Sequence, residues 1–265
     1  MYNSSIIESS KDNNINDNEL IELSYENIVD RLMCETENEL SKMENFDQMY
    51  FRLRQRAKKV CGVKVDVKNL SYHYGNIKNL SFSLEKGSHL MIRGENGSGK
   101  TTLLRLLSGV YKKDSGSILI DEKEINHLPK YTIGYIPQFT YNSDFSLSVE
   151  EVVGLGFKGK DKKEKIDEAL KRTSSINLKR RSFNSLSGGE KQKVSLARCL
   201  CQNAKLLLMD EPTASLDKEN KKMVIDIVRS LTVNEIPTII IATHDKDLYT
   251  LSGWETLNIG ENEYE

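Results

Sequence analysis

The sequence predicts an α/β protein built on a mainly parallel sheet that is flanked by helices. Two continuous apolar runs, KLLLMDEP (205–212) and PTIIIATHD (237–245), have the length and composition of strands that are buried on both faces. Strand-like and helix-like segments alternate along the chain, and this alternation is typical of a parallel sheet covered by helices. The 265 residues are 38% hydrophobic and carry a net charge of −1, so we expect a buried core and no general affinity for nucleic acid.

The elements are expected in a definite order. Strands are predicted by the alternation in VDVKNLSYHY (65–74), GSILIDEKEI (116–125) and TIGYIPQ (132–138), and NLSFSLEKGSHLMIRG (79–94) reads as two strands around a Lys-Gly turn. Helices are predicted by the spacing of apolar residues in TTLLRLLSGV (101–110), DKKEKIDEALKRT (161–173), EKQKVSLARCLCQNA (190–204) and KKMVIDIVRSL (221–231).

An N-terminal extension, residues 1–62, differs in composition from the rest of the chain. Residues 1–18 are rich in Asn, Ser and Asp and predict a disordered tail. Helix-like spacing follows to about residue 59, and it ends in the basic stretch FRLRQRAKKV (51–60). This segment can be read as an amphipathic helix packed on its own domain, or as one that docks on a partner or an anionic lipid surface. Residues 63–265 are assigned to the second domain.

A phosphate-binding loop is predicted between the strand LMIRG (90–94) and the helix that follows it. The stretch GENGSGKTT comprises Gly94, Glu95, Asn96, Gly97, Ser98, Gly99, Lys100, Thr101 and Thr102, and it fits the pattern G-x-x-x-x-G-K-[ST]. Glycines allow backbone N–H groups to approach phosphates at a helix N-terminus. Lys100 would reach the β- and γ-phosphates, and the Thr101 hydroxyl would bind Mg²⁺. The sequence therefore predicts a site for a nucleoside triphosphate.

Two carboxylates end the buried run LLLMDEP. Asp210 is expected at the carboxyl end of a strand, where open parallel sheets bind ligands, and it would hold Mg²⁺ directly or through water. Glu211 follows immediately. Burying two adjacent carboxylates costs desolvation free energy, so a purely structural role is a poor explanation for them.

The string LSGGE, Leu186 to Glu190, decides among the classes of phosphate-loop protein. A serine and two glycines at the start of a helix form a second anion-binding geometry in the same chain. With this string, the sequence closely resembles the ATP-binding cassette (ABC) family over residues 64–255, and LSGGE matches the signature motif of that family. The resemblance implies that Ser187, Gly188, Gly189 and Glu190 contact ATP held by the phosphate loop of a second subunit.

The resemblance also assigns roles to single residues. It implies that Glu211 polarises the attacking water, that His244 is the switch histidine, and that Gln138 is the glutamine that reaches Mg²⁺ and the water. Asp217 matches the loop that communicates across the dimer. Tyr74 is the better match to the aromatic residue that stacks on adenine, and Tyr72 is the competing choice.

An ABC-type phosphate-loop fold is therefore expected, with a mainly parallel sheet, an antiparallel β subdomain and a helical subdomain at about 139–200. The resemblance implies an ATPase that uses ATP and Mg²⁺ and works as a homodimer or as one of a pair of cassettes. Its partners would be separate transmembrane permease subunits and an extracytoplasmic substrate-binding protein, and it would lie on the inner face of the membrane. The segment after Gln138 is most like importers of metal ions or metal chelates. An exporter-type ATPase and a soluble non-transport ATPase are the alternatives.

Overall fold

The computed structural model describes residues 61–74, 77–138, 147–214, 216–234, 237–245, 248–251 and 253–260. The N-terminal extension, apart from its last two residues, lies outside this range, and so does the whole segment 139–146 that follows Gln138. The predictions made for those two segments therefore remain predictions. Within the described residues, no helix has the length and apolar character that crossing a bilayer requires.

The described residues form nine strands and five α-helices in the following order. The strands are β1 Val65–Tyr72, β2 Ile77–Leu84, β3 His89–Arg93, β4 Ser115–Ile120, β5 Lys123–Glu124, β6 Ile133–Ile136, β7 Leu206–Asp210, β8 Thr238–Ala242 and β9 Glu255–Asn258. The helices are α1 Lys100–Leu107, α2 Val149–Val153, α3 Lys162–Arg172, α4 Gly188–Cys201 and α5 Lys218–Asn234.

A five-stranded parallel sheet carries the order β6-β7-β8-β3-β9. Every residue of β7 and β8 is buried, as expected for central strands that are covered on both faces. Leu206 pairs with Thr238 and Asp210 pairs with Ala242, so β7 and β8 end at the same level. Because β8 also pairs with β3, from His89–Ile239 to Ile92–Ala242, all three strands end at one edge of the sheet.

A second sheet of four antiparallel strands has the order β2-β1-β4-β5. It shares one hydrophobic core with the phosphate-loop helix α1, to which Leu103, Leu104, Leu106 and Leu107 contribute fully buried side chains. The Lys86-Gly87 turn connects β2 to β3, but the two strands belong to different sheets. Periodicity predicts both strands correctly. It does not predict that they join different sheets, because that depends on which strands each one pairs with.

A third layer consists of α2, α3 and α4, which pack around their own core. Val149, Val153, Leu170 and Val194 are buried there with almost no exposed surface. The predicted fold class, a parallel sheet with an antiparallel β part and a helical part, is confirmed. Helix α2 and strand β9 were not predicted from the sequence, because each has only four or five residues and its periodicity is weak.

Candidate functional site

The candidate site lies at the edge of the parallel sheet where β3, β7 and β8 end. Strand β8 lies between β7 and β3, so the loops that follow these three strands are brought together. These loops begin at Gly94, Glu211 and Thr243. In open parallel sheets, ligands bind outside the carboxyl ends of the strands.

Glycines determine the shape of the loop after β3. Gly94 has φ 154°, and a Cβ there would lie 2.4 Å from the Ile259 carbonyl oxygen and 2.5 Å from the Ser98 hydroxyl oxygen. Gly97 has φ 85° and open space where its Cβ would be. Gly99 has φ 107° and caps helix α1. A side chain at Gly94 would clash with its neighbours. At Gly97 the space is open, so the backbone is accessible close to the start of helix α1.

Lys100, the first residue of α1, folds its side chain back over this loop. Its Nζ donates to the carbonyl oxygens of Gly94 at 2.8 Å and Glu95 at 3.0 Å. The residue is only 7% exposed. The buried ammonium group therefore lies next to the accessible backbone, where it can neutralise an anionic ligand.

The other members of the loop differ in how far they are exposed to solvent. Glu95 and Asn96 are exposed, Ser98 is buried, and Thr101 and Thr102 are half-buried in the first turn of α1. The backbone of this turn presents N–H groups without intrahelical partners, as at any helix start.

Thr101 and Asp210 form the candidate magnesium site. The Thr101 hydroxyl donates to Asp210 Oδ1 at 3.0 Å, and the Tyr135 hydroxyl lies 3.4 Å from Asp210 Oδ2. Burial raises the pKa of the Asp210 carboxyl, the hydrogen bond from Thr101 opposes that rise, and the charge of Glu211 adds to it. A bound cation would lower the pKa of Asp210 again, because it stabilises the ionised carboxylate.

The donor set suits Mg²⁺ held together with a phosphate. Among the described residues, no group of three His, Cys, Asp or Glu side chains could hold a metal alone. One hydroxyl and one carboxylate are what a magnesium ion uses when substrate phosphates and water complete its shell. The residues present therefore fit the predicted ion.

Glu211 and His244 form a second polar pair beside this site. The Glu211 Oε1 lies 2.7 Å from His244 Nδ1, while Oε2 accepts from the Thr243 hydroxyl at 3.2 Å and from the His244 backbone N–H at 3.3 Å. Glu211 is buried, whereas the His244 side chain is 60% exposed. The carboxylate is thus oriented from inside the protein, and the imidazole faces outward.

The backbone of Glu211 is unusual, since its φ of 47° lies in the left-handed region. This conformation costs a non-glycine residue about 1 kcal/mol or more. Two hydrogen bonds hold this conformation in place: the Glu211 N–H donates to the Ala242 carbonyl oxygen at 2.8 Å, and the Thr243 hydroxyl donates to Glu211 Oε2 at 3.2 Å. The sharp turn after β7 directs the side chain of Glu211 toward β8.

Gln138 follows β6 by two residues and is half-buried. In the described part of the chain, no hydrogen bond joins it to Asp210 or Glu211. The predicted contact of Gln138 with a metal and water remains a prediction.

Ser187 caps helix α4, and a capping box surrounds it. The Ser187 hydroxyl accepts from the Glu190 N–H at 3.3 Å, and the Glu190 Oε2 accepts from the Ser187 N–H at 2.8 Å. Arg181 NH1 donates to Glu190 Oε1 at 3.0 Å. Both Glu190 oxygens are therefore engaged inside the chain, by Ser187 and by Arg181.

The two glycines after Ser187 meet different surroundings. Gly188 is exposed, and a Cβ built on it would have nothing within 4 Å. Gly189 is buried, and a Cβ there would lie 3.0 Å from Asn220. Asn220 in turn donates its backbone N–H and its side-chain amide to Asp217, at 2.8 and 2.6 Å, in the first turn of α5. Asp217 therefore caps the start of α5, and its role across a dimer remains a prediction.

Tyr74 and Tyr72 differ in how freely their rings are presented. Tyr74 is 66% exposed, while the Tyr72 ring stacks on Tyr111 with centroids 5.7 Å apart. Because one face of Tyr72 is occupied, packing favours Tyr74 as the ring available to a base. The assignment remains a prediction.

The structure adds three residues that the sequence reading missed. Tyr135 and Thr243 contact the two carboxylates, and Arg181 contacts the cap of α4. Nothing in the sequence singles out Tyr135 or Arg181. The S-x-x-E spacing of Ser187 and Glu190 was readable as a capping box, which would have shown that Glu190 serves its own helix.

Comparisons with known proteins identify the family of the chain. Residues 77–214 match the family model described as "ABC transporter". The chain is 39% identical over 196 residues to the zinc uptake system ATP-binding protein ZurA of Listeria innocua, covering 68% of this chain and 76% of that protein.

Solved structures show the same resemblance. CbiO1 of Clostridium perfringens, part of the transporter complex CbiONQ, aligns with a TM-score of 0.64 and 32% identity, covering 74% of this chain and 84% of that one. The ATP-binding cassette MJ0796, a dimer in a post-hydrolysis state with ADP and Pi, aligns with a TM-score of 0.62 and 25% identity, covering 74% and 96%.

Proposed function

The chain belongs to the ABC transporter family and carries its ATPase domain, and from that premise we propose that it powers a permease that imports metal ions or metal chelates. The observation that supports the hydrolytic part is the meeting of two polar pairs at one sheet edge, Thr101 with Asp210 and Glu211 with His244. The similarity to a zinc uptake protein supports the choice of substrate.

In the proposed mechanism, ATP binds across the loop that follows β3. Lys100 exchanges the carbonyl oxygens of Gly94 and Glu95 for phosphate oxygens, and the first-turn amides of α1 supply further donors. Tyr74 supports the adenine ring. Thr101 and Asp210 hold Mg²⁺, which supplies charge neutralisation at the phosphates when it is bound.

In this mechanism, Glu211 orients and polarises the water that attacks the γ-phosphate. Its carboxylate is fixed by Thr243 and by the backbone N–H of His244, so little reorganisation is needed when the water loses its proton. The imidazole of His244 is 60% exposed, so it would be free to hydrogen-bond the γ-phosphate while it holds Glu211. Gln138 would complete the water and metal contacts.

A second cassette completes the site. The tip of α4 presents Ser187 and Gly188 outward, with the buried Gly189 behind them, and the N-terminus of a helix is a favourable place for an anion. Two copies placed head to tail would each supply this tip to the γ-phosphate of the other. Loss of that phosphate removes the shared ligand, so hydrolysis opens the dimer.

The paired cassettes would act on permease subunits in the membrane and would lie on its cytoplasmic face through them. An extracytoplasmic substrate-binding protein would deliver the metal or chelate.

Replacing Glu211 with Gln tests the hydrolytic mechanism. The substitution keeps the shape of the side chain and removes its basicity, so hydrolysis should fall by about 10²-fold or more while ATP binding is retained. The variant should accumulate as an ATP-bound dimer in light scattering with ATP and Mg²⁺. A variant that stays monomeric with saturating ATP would contradict the proposed closure.

The transport role needs a separate experiment. The tagged full chain, purified from detergent-solubilised membranes of its own cells, should carry an integral membrane protein with it. Uptake of zinc or manganese by proteoliposomes of that complex, dependent on internal ATP, would support import. Outward movement would favour the exporter-type alternative, and the absence of any membrane partner would favour a non-transport ATPase.

A further inference from the structure

Arg181 lies seven residues before Gly188, the first residue of helix α4, and its side chain contacts that helix. Its NH1 group donates to Glu190 Oε1 at 3.0 Å, and its NH2 group lies 3.4 Å from the Ser185 carbonyl oxygen. The other Glu190 oxygen holds the backbone N–H of Ser187. The guanidinium therefore acts on Ser187 through a single intermediate side chain.

The main chain around Arg181 also holds the start of helix α2. The Val149 N–H donates to the Arg181 carbonyl oxygen at 3.0 Å, and the Glu150 N–H donates to the Lys179 carbonyl oxygen at 3.0 Å. These are amides of the first turn of α2, which have no partner within their own helix. The Phe183 N–H closes the connection by donating to the Leu147 carbonyl oxygen at 2.8 Å.

Arg181 is thus bonded to two helices at once, to α2 by its backbone and to the cap of α4 by its side chain. Helix α2 directly follows the segment 139–146, which itself follows Gln138. A displacement of α2 would be carried to the cap of α4, because a hydrogen-bonded segment of a few residues connects them.

We propose that Arg181 is a positioning residue that holds Ser187 in the orientation needed to bind the nucleotide of the second cassette, and that links this orientation to helix α2. This inference rests on the proposed function, since it requires the tip of α4 to act in trans. Arg181 itself touches no nucleotide. It fixes Glu190, and Glu190 fixes the backbone and, through the capping box, the hydroxyl of Ser187.

The expected effect is moderate, because the contact is partly exposed. The side chains of Arg181 and Glu190 are 47% and 27% exposed, and ion pairs as exposed as this contribute little to stability. Loss of Arg181 should therefore weaken the contact between the tip of α4 and the nucleotide of the second cassette by about threefold. A dimer contains two such contacts, so its association constant should fall by about tenfold.

The test compares Arg181→Gln with Arg180→Gln, both made in the full chain with Glu211→Gln. Arg180 is the adjacent exposed arginine, so its loss changes the net charge equally without removing the cap contact. Light scattering across an ATP titration with Mg²⁺ should show the Arg181→Gln dimer forming about tenfold less readily than the Arg180→Gln dimer. Binding of a fluorescent ATP analogue to the monomer should be the same in both.

Hydrogen exchange without nucleotide gives a readout that does not depend on dimerisation. Amides in a peptide that covers residues 184–192 should exchange faster in Arg181→Gln than in Arg180→Gln, since the capping box is weakened. Equal exchange and equal dimerisation in the two variants would overturn the inference while leaving the proposed function intact. If the Glu211→Gln parent fails to dimerise, the proposed function is overturned, and the role of Arg181 in trans is overturned with it.

Discussion

Gly188 offers a sharp test of the head-to-tail arrangement, because a methyl group there meets nothing in its own chain. A Cβ built on Gly188 has no heavy atom within 4 Å, and the residue is the first of helix α4. Alanine is a better helix former than glycine, so Gly188→Ala should leave the stability of the monomer unchanged or raise it by about 0.5 kcal/mol. In a domain of this size, the melting temperature would rise by about 1–2 °C.

The same methyl group should disrupt catalysis if the tip of α4 grips a phosphate of the partner. Backbone amides can approach a phosphate only where no Cβ intervenes, and loss of one preorganised donor to a reacting anion costs about 10²-fold or more in rate. We therefore expect steady-state ATP hydrolysis to fall by about 10²-fold in Gly188→Ala. Binding of a fluorescent ATP analogue to the monomer should be unchanged, because that nucleotide lies on the loop of its own chain.

A second glycine variant serves as a contrast. Gly97 also has open space at its Cβ position, but its φ of 85° is unfavourable for alanine by about 1 kcal/mol. Gly97→Ala should therefore weaken ATP binding by the monomer itself, which Gly188→Ala does not. Wild-type hydrolysis by Gly188→Ala, together with unaltered dimerisation in the Glu211→Gln background, would refute the proposed role of the helix tip.

Two further predictions concern single hydrogen bonds. Tyr135→Phe removes the hydroxyl that lies 3.4 Å from Asp210 Oδ2. Because this is a long contact, the Mg²⁺ concentration for half-maximal ATP binding should rise by no more than about fivefold. A loss of ATP binding at saturating Mg²⁺ would contradict this expectation. The hydrogen bond from the Ser187 N–H, together with the charge of Arg181, lowers the pKa of Glu190 below its ordinary value of 4.5. The Glu190 carboxylate therefore stabilises the fold fully above pH 4.5, and this stabilisation is lost as the pH falls through the lowered pKa. The melting temperature of the wild type should exceed that of Glu190→Gln at pH 7, and the difference should shrink as the pH falls below 4.5. A difference that stays constant with pH would show that the charge is irrelevant.

Local patterns were enough to predict the shape of the glycine-rich loop. The three glycines of GENGSGKTT act within nine residues, and the turn, the helix start and the position of Lys100 follow from short-range geometry. The buried runs that became β7 and β8 were equally clear, because a strand covered on both faces must be apolar throughout.

The partners of the site residues could not be read in the same way. Thr101 and Asp210 are 109 positions apart, and Glu211 and His244 are 33 apart, so their contacts depend on strand order. That order places β8 between β3 and β7, and several orders are compatible with the same periodicity. The contact of Tyr135 with Asp210 likewise appears only when β6 pairs with β7.

The sequence alone thus determined the glycine-rich loop, the strand–helix alternation and the position of two adjacent carboxylates at the end of a buried strand, since these depend on residues close together in the chain. Tertiary structure decided which side chains orient those carboxylates, and it showed that Glu190 is engaged by Ser187 and Arg181 of its own chain. The physical reason is that hydrogen bonds between distant segments depend on how sheets and helices pack, and packing is settled by the whole core at once.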